Sequence, residues 1–393
     1  MSTLSLIVTS FDVGPWITAA LDSAARVLRP GDELIVVDDA SGDDGPGHIY
    51  AFGNSGKLAP GVVFRPILLG RNTPGGVGPA ANIGLAAARG DIVAFLDGDD
   101  WIEAEGFNAA RDRFDAELSS KNPADILIAN YLEWHEAGGH DRLPADAGRW
   151  QGAETLTGLE ARNRAIALIA VPWRKLYRRA FLEAERLRFP EGDFFFEDNP
   201  FHWAVTRAAK RILFCDRVIC RHRIARPGQT MASRGTELLA FFTHYNTITA
   251  DLGWRERTLR LQAMRWLVSN MTWHMERLAP AVIGAWVAAA HRAVSGFSQR
   301  AWRDNLRPSV EPWVAELLDT IRAGDLNTAE NRLLAMAMMR QQAHLEHQLN
   351  AIRGEIFDLR AAAARPNGKA AVSDDRMEAM VASFEALAKS ARV

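Results

Sequence analysis

The first hundred residues alternate short apolar runs with amphipathic stretches, and this rhythm constrains the fold more than any other feature of the chain. Residues 4–8, 33–37, 62–69 and 92–96 read as buried strands. Residues 16–28 read as a helix behind Pro15, where a first-turn proline is tolerated. Residues 80–89 read as another, with Pro79 at its start and Gly90 at its end. A helix over 107–118 and a fifth strand over 125–129 continue the pattern. Such alternation predicts an α/β fold, an open and mostly parallel sheet with helices on both faces.

From about residue 161 the pattern becomes mainly helical, with helices expected over 237–277, 279–294 and 310–323. Trp266 and Trp273 share a helical face there and are expected in the core. Further on, Leu345, Leu349, Ile352, Ile356 and Leu359 repeat at alternating spacings of four and three, the seam of a short coiled coil. Arg365-Pro366-Asn367-Gly368 breaks it, and Met377, Met380, Phe384 and Leu387 mark a last amphipathic stretch. A chain of 393 residues exceeds what one core organises. Three regions are expected: 1–235, a helical 236–326 packed on it, and C-terminal helices over 327–393. The seam predicts a homodimer or a docked partner helix.

Charge excludes one class of partner. Lys and Arg number 46 against 48 Asp and Glu, without the basic excess of a nucleic-acid binder. Cys215 and Cys220 are too few for a disulfide framework and read as buried thiols in a reducing, cytoplasmic setting. No leader pattern opens the chain, since no basic region precedes residues 4–8 and Asp12 follows soon after. The longest apolar stretch, 278–290, is shorter than the ~20 residues that span a bilayer. It reads as a core helix, and peripheral membrane contact stays open.

Three polar clusters follow predicted parallel strands: Thr9-Ser10-Phe11-Asp12, Asp38-Asp39-Ala40-Ser41 and Asp97-Gly98-Asp99-Asp100. The carboxyl ends of parallel strands line the ligand crevice of an open α/β sheet. Carboxylates crowded there repel one another unless a cation joins them, and Mg²⁺ or Mn²⁺ suits carboxylate oxygen and bridges diphosphates. In Asp97-Gly98-Asp99 the two carboxylates project from one side of an extended segment. A solvated acidic turn explains that motif equally well by itself, and the other two clusters tip the balance toward a metal site.

These segments, in this order, resemble family 2 glycosyltransferases of the Rossmann-like GT-A fold over about residues 4–230. The resemblance runs through Leu4 to Asp12, Val36 to Ser41, Asn72 to Gly90 and Phe95 to Asp100. It continues in Arg174-Lys175-Leu176-Tyr177-Arg178, Phe189-Pro190-Glu191-Gly192, Glu197-Asp198 and Arg221 to Thr230. It implies sugar transfer from a nucleotide diphosphate donor, a UDP-sugar on the strength of Asp39, to a glycan or other hydroxyl acceptor with inversion. Thr9, Ser10, Asp39, Asn82 and Asp97 would hold the donor, and Asp99 and Asp97 a divalent Mn²⁺ or Mg²⁺, with His222 a further contact to the metal or to the diphosphate. Asp198 would be the general base, with Glu197 beside it. Arg221 and Arg223 are expected to pair with phosphate, or else to be surface arginines flanking a strand. Trp173 is expected to stack on the acceptor.

One departure stands out. The family commonly places an arginine before Asn82, where this chain has Ala81, so the phosphate partner is expected at Arg71 or Lys175. Gly76-Val77-Gly78-Pro79-Ala80-Ala81 imitates a dinucleotide fingerprint. Pro74 intervenes after the strand, however, and Pro79 removes an N–H that pyrophosphate would need. A nucleotidyltransferase is the competing enzyme, though no glycine- and lysine-rich loop follows the first strand. A donor-binding or assembly subunit without turnover is the non-enzymatic alternative.

Overall fold

The computed structural model describes residues 2–192, 195–226, 233–250 and 252–363. Four parallel strands form one half of the sheet: β1 (Leu4–Ser10), β2 (Glu33–Asp38), β3 (Val63–Leu68) and β4 (Ile92–Asp97), in the order β3-β2-β1-β4. Between and after them run α1 (Gly14–Ala25), α2 (Gly45–Gly53), α3 (Gly78–Ala87) and α4 (Ala104–Leu118). Only α2, opening on Gly45-Pro46-Gly47, went unanticipated. Alternate side chains of β1 feed two cores. Leu6 and Val8 join Ile17 and Leu21 of α1 and Phe107 and Phe114 of α4, whereas Ile7 packs with Ala80, Ala81 and Leu85 of α3. Each such burial stabilises by about 1.5–3 kcal/mol for a large aliphatic side chain.

The expectation of mainly helical structure beyond residue 161 is corrected. The sheet continues through β5 (Trp101–Ile102), β6 (Ile126–His135), β7 (His140–Arg142), β8 (Lys175–Arg178) and β9 (Ile212–Ile224). β8 lies antiparallel between β4 and β6, and β9 runs parallel to β6 and antiparallel to β5. Their patterning hid them. β8 has four residues, and β9 intersperses its apolar positions with Asp216, Arg217, Arg221 and Arg223. The strand expected over 125–129 also runs on to His135.

Around β8 lie α5 (Gly158–Ile166), α6 (Arg179–Ala184) and α7 (Asp198–Ala208). The helix expected over 237–277 is two, α8 (Ala240–Ala250) and α9 (Arg257–Met275). At their junction Glu256 accepts the Gly253 N–H and donates its own N–H to the Gly253 carbonyl, a turn that sets the start of α9. Then follow α10 (Ile283–Ser295), the short α11 (Gln299–Ala301), α12 (Pro312–Arg322) and α13 (Leu326–Ala363).

Compact units divide elsewhere than at residues 235 and 326. One comprises Met1–Asn270 with Gln299–Leu306, the other Met271–Ser298 with the chain from Arg307 onward. The first therefore includes α8 and most of α9. In the second, Trp286 of α10, Leu318 of α12 and Leu333 of α13 are buried. Farther along α13, Leu349 is exposed and Ile352 buried, while the side chain of Leu359 lies outside the described residues. So do Thr230, the 365–368 break and the stretch from Met377 to Leu387. No helix among the described residues is long and apolar enough to cross a membrane. Both cysteines are buried free thiols.

Candidate active site

Strand register builds the site. Parallel pairing sets Thr9 opposite Asp97 and Ser10 opposite Asp38, so all three polar clusters meet at one rim. The backbone there is strained: Asp12 and Ala40 adopt positive φ, 49° and 61°, as non-glycine residues at functional sites often do. Gly98 lets the acidic turn close on β1, since a Cβ would stand 2.9 Å from the Thr9 carbonyl and from Ile17. Asp97, Asp99 and Asp100 then offer oxygens all within 4.8 Å of one another. Burial, followed by repulsion from Asp100 and Asp99, pushes the Asp97 carboxyl up to about 8. Crowded hard oxygens whose protons bind this tightly fit a divalent cation.

Sequence distance conceals the rest of this cluster. Pairing of Trp101 with Arg221 in the β5–β9 ladder carries the end of β9 alongside the acidic turn. His222 Nδ1 lies 2.9 Å from Asp100, which also accepts the Arg223 N–H at 2.7 Å. Burial disfavours the imidazolium, but Asp100, Asp99 and Asp97 outweigh it and raise His222 to about 9. These carboxylates favour the protonated imidazole, and metal ligation by His222 would require that proton to leave. Arg223 donates from Nε to the Asp99 carbonyl at 2.9 Å and pairs with Glu136. Arg226, which the sequence reading passed over, pairs with Asp99 through Nε. Arg221 instead pairs with Glu103 and Asp141, the structural role held open for it.

Beside the acidic turn, Asp39 is buried and pins the loop after β3. Its Oδ1 accepts the Thr73 N–H at 2.9 Å, and its Oδ2 accepts the Thr73 hydroxyl and the Asn72 amide. Ser10 donates to Asp38, as does Ser41, and Thr9 donates to Asp97 at 3.2 Å. The far end of the same loop meets Glu197. That carboxylate, 3% exposed, accepts the Gly78 N–H at 2.5 Å at the start of α3. It occupies the helix terminus that a dinucleotide pyrophosphate would need, which disposes of the fingerprint reading. Glycines make room for it: a Cβ on Gly78 would stand 2.7 Å from the Glu197 Cγ and 3.3 Å from the Phe189 Cβ. Gly78→Ala is expected to destabilise by about 1–3 kcal/mol, the usual scale of overpacking, measured by urea unfolding.

Other expected ligands prove to be internal. Asn82 donates to the Phe189 carbonyl and to Glu191 and accepts the Phe189 N–H, so it latches the chain before Glu197. Trp173 is 3% exposed, stacked on His222 at 5.0 Å and edge-on to Tyr131, with no face for an acceptor sugar. Lys175, 1% exposed, donates to the Val171 carbonyl, so it is no surface phosphate partner. Burial and Arg174 lower its ammonium to about 7, with Asp198 opposing the shift. Arg71 remains exposed, and so does Phe11 at the end of β1.

Asp198 opens α7, with Glu197 in the cap position and no side-chain cap bond. Asp198 thus lies in the first turn rather than at the cap, and its carboxyl faces the backbone N–H groups of Asp198 and Asn199 there. Burial, then the neighbouring Glu197, raise its carboxyl to about 7, opposed by Lys175. That suits a group which must take a proton near neutral pH. Asn199 Nδ2 donates to Asp198 Oδ1 at 2.9 Å.

Comparison with known proteins follows the same lines. Residues 5–184 match glycosyl transferase family 2. EpsJ, an uncharacterized glycosyltransferase of Bacillus subtilis (strain 168), is 29% identical over 220 residues, 54% of this chain and 58% of that protein. The chain spans about half the length of the curated relatives it matches, 58% and 50% in two cases. Residues 1–349 of Staphylococcus aureus TarS, solved with UDP-GlcNAc, align with a TM-score of 0.64 at 22% identity, over 87% of this chain and 92% of that one. A Pyrobaculum calidifontis mannosyltransferase, solved with GDP-Man and Mn²⁺, aligns with a TM-score of 0.51 at 18% identity over 86% of each chain. These likenesses establish the GT-A fold. Within that fold, residues 5–184 carry the match to the glycosyl transferase family 2 model.

Proposed function

We propose that this protein transfers a sugar from a UDP-sugar to an acceptor hydroxyl with inversion, in a divalent-metal-dependent reaction. The observation that carries the reading is the Asp97–Asp99–Asp100 cluster at the rim of the parallel strands. Asp97 and Asp99 would hold the cation, while His222 and Arg223 steady Asp100 behind them. When bound, the cation supplies positive charge for the departing nucleoside diphosphate. Asp39 keeps one acceptor position on Oδ1 for a uracil N–H, because among the described residues only the Thr73 N–H uses that oxygen. Exposed Phe11 offers an aromatic face at the same rim. Arg71, exposed on the loop that Asp39 pins, is the phosphate partner we assign in place of Lys175. Asp198 accepts the acceptor's hydroxyl proton as that oxygen attacks the anomeric carbon.

Nucleoside diphosphate release from a panel of UDP- and GDP-sugars with Mn²⁺ tests the reading. Release from a UDP-sugar, lost on chelation, is expected; donor binding without turnover would leave only the non-catalytic subunit. The match to a glycosyltransferase family lends the nucleotidyltransferase alternative no support.

The seam on α13 supports a homodimer as part of the same proposal. Leu349 is 44% exposed and Met338 and Met339 more so, an apolar strip better buried against a second copy. Truncation near residue 327 would be a poor test, because Ala329, Leu333 and Ala337 are buried and Arg340 donates to the Met275 and Leu278 carbonyls. Light scattering of the intact chain against a Leu345→Glu, Leu349→Glu variant decides it. We expect a dimer and a monomer, respectively; two monomers would remove the dimer.

A further inference from the structure

Helices beyond the family-matched segment grip the chain around Asp198. His244 of α8 lies 2.6 Å from the Phe195 carbonyl through Nε2. Phe196, in a left-handed conformation with φ 65°, packs on Phe241 of α8 at 4.6 Å between ring centroids. Phe241 in turn packs on Trp266 of α9 at 5.7 Å. The Trp266 indole N–H then donates to Asn199 Oδ1 at 3.1 Å. Asn199 uses its amide nitrogen twice, toward the Phe196 carbonyl at 3.0 Å and toward Asp198 Oδ1 at 2.9 Å.

Those contacts leave the amide one orientation. An indole nitrogen only donates, and a carbonyl and a carboxylate only accept. Flipping Asn199 would set N–H against N–H at Trp266 and oxygen against oxygen at both Phe196 and Asp198. Trp266 is half-buried, and its ring already packs on Phe241, so its N–H direction is set by the fold.

We propose that Trp266 is a positioning residue for the transfer reaction, acting through Asn199 to hold the Asp198 carboxylate in one orientation and in its ionised form. The inference rests on Asp198 as the base. A hydrogen bond donated to a carboxylate favours the charged state. Losing the Trp266 N–H removes one of the three contacts that fix the amide, loosens the bond to Asp198 and makes the carboxylate harder to ionise. This gives α9, which lies outside the matched segment, a defined part in the chemistry.

Trp266→Phe keeps the ring and removes the N–H. The carboxyl ¹³C resonance of Asp198, assigned by its absence in Asp198→Asn, is followed against pH in the intact protein. Its midpoint is expected to rise by about one pH unit, the scale of one lost hydrogen bond to a charged group. Turnover of UDP-GlcNAc, read as UDP release with Mn²⁺, is expected to fall about tenfold near pH 6.5 with KM for the donor unchanged, because the base is then mostly protonated. Asn199→Ala is expected to give the same midpoint shift, and adding Trp266→Phe to it to change nothing further. Should the Trp266 variant melt early, the Asn199 variant alone carries the titration. An unmoved Asp198 midpoint, or full additivity of the two changes, overturns the proposal. Parental turnover by Asp198→Asn overturns the base assignment instead, and the titration tells the two failures apart.

Discussion

Asp198→Asn is expected to bind donor at the parental level and to lose about 10²-fold or more in transfer rate, the usual scale for removing a general base. Shape and the Asn199 contact survive the change, whereas the charge facing buried Lys175 is lost. The Asn carbonyl oxygen still accepts from the Asn199 amide, and Glu197 rather than Asp198 sits at the cap of α7. What disappears is the proton acceptor, whose pKa of about 7 reflects burial and the adjacent Glu197. The sign for pH follows directly. Only the ionised carboxylate accepts a proton, so parental kcat/KM should fall about tenfold per unit below pH ~7 and level off above it. Asp198→Asn should flatten that limb. Initial rates and donor calorimetry across pH 5–9 measure both effects, and near-parental turnover by the variant would sink the mechanism while leaving the fold untouched.

Asp99→Ala is expected to abolish metal-dependent donor binding. The substitution removes one of the oxygens that cluster within 4.8 Å and one carboxylate paired with Arg226. Asp97 and Asp100 would remain, but Asp100 is engaged by His222 and the Arg223 N–H, so only one carboxylate of the proposed pair is left for the cation. A ligand at about 100 times its Kd stabilises a protein by about 2.7 kcal/mol. Thermal melts of the parental chain with a UDP-sugar and Mn²⁺ should therefore shift upward by several degrees, and those of Asp99→Ala should not move. The ligand-free melt is recorded alongside, because the variant removes a carboxylate partner of partly buried Arg226 and one of the neighbours that push the Asp97 carboxyl up. An undiminished, Mn²⁺-dependent shift in the variant would remove Asp99 from the site.

How much of this was legible beforehand follows from how local each signal is. Periodicity is a property of neighbouring residues, so the first four strands, the helices between them and the parallel α/β class could be read directly. So could the rim, because carboxylates placed just after parallel strands must meet at the carboxyl edge: Thr9, Asp39, Asp97 and Asp99 stand there together. The direction of one shift was also readable from flanking residues, since the apolar stretch around Asp198 predicted the burial that, with Glu197, raises its carboxyl.

Tertiary structure alone decided the rest. Spacing cannot say that β9 returns to pair with β5 and delivers His222, Arg223 and Arg226 to aspartates more than 120 residues earlier. Nor can residue type say which way a side chain faces. Trp173, Lys175 and Asn82 have the chemistry of ligands, yet packing turned each inward to a ring, a carbonyl or a backbone strap. The same holds for Glu197, whose partner is the start of α3, and for Trp266, whose indole reaches the base through Asn199. Hydrophobic pattern is written along the chain, and it determined the parallel half of the sheet, β1 to β4. The partner of a polar group is set by what the folded chain brings within about 3 Å, and only the three-dimensional packing determines that.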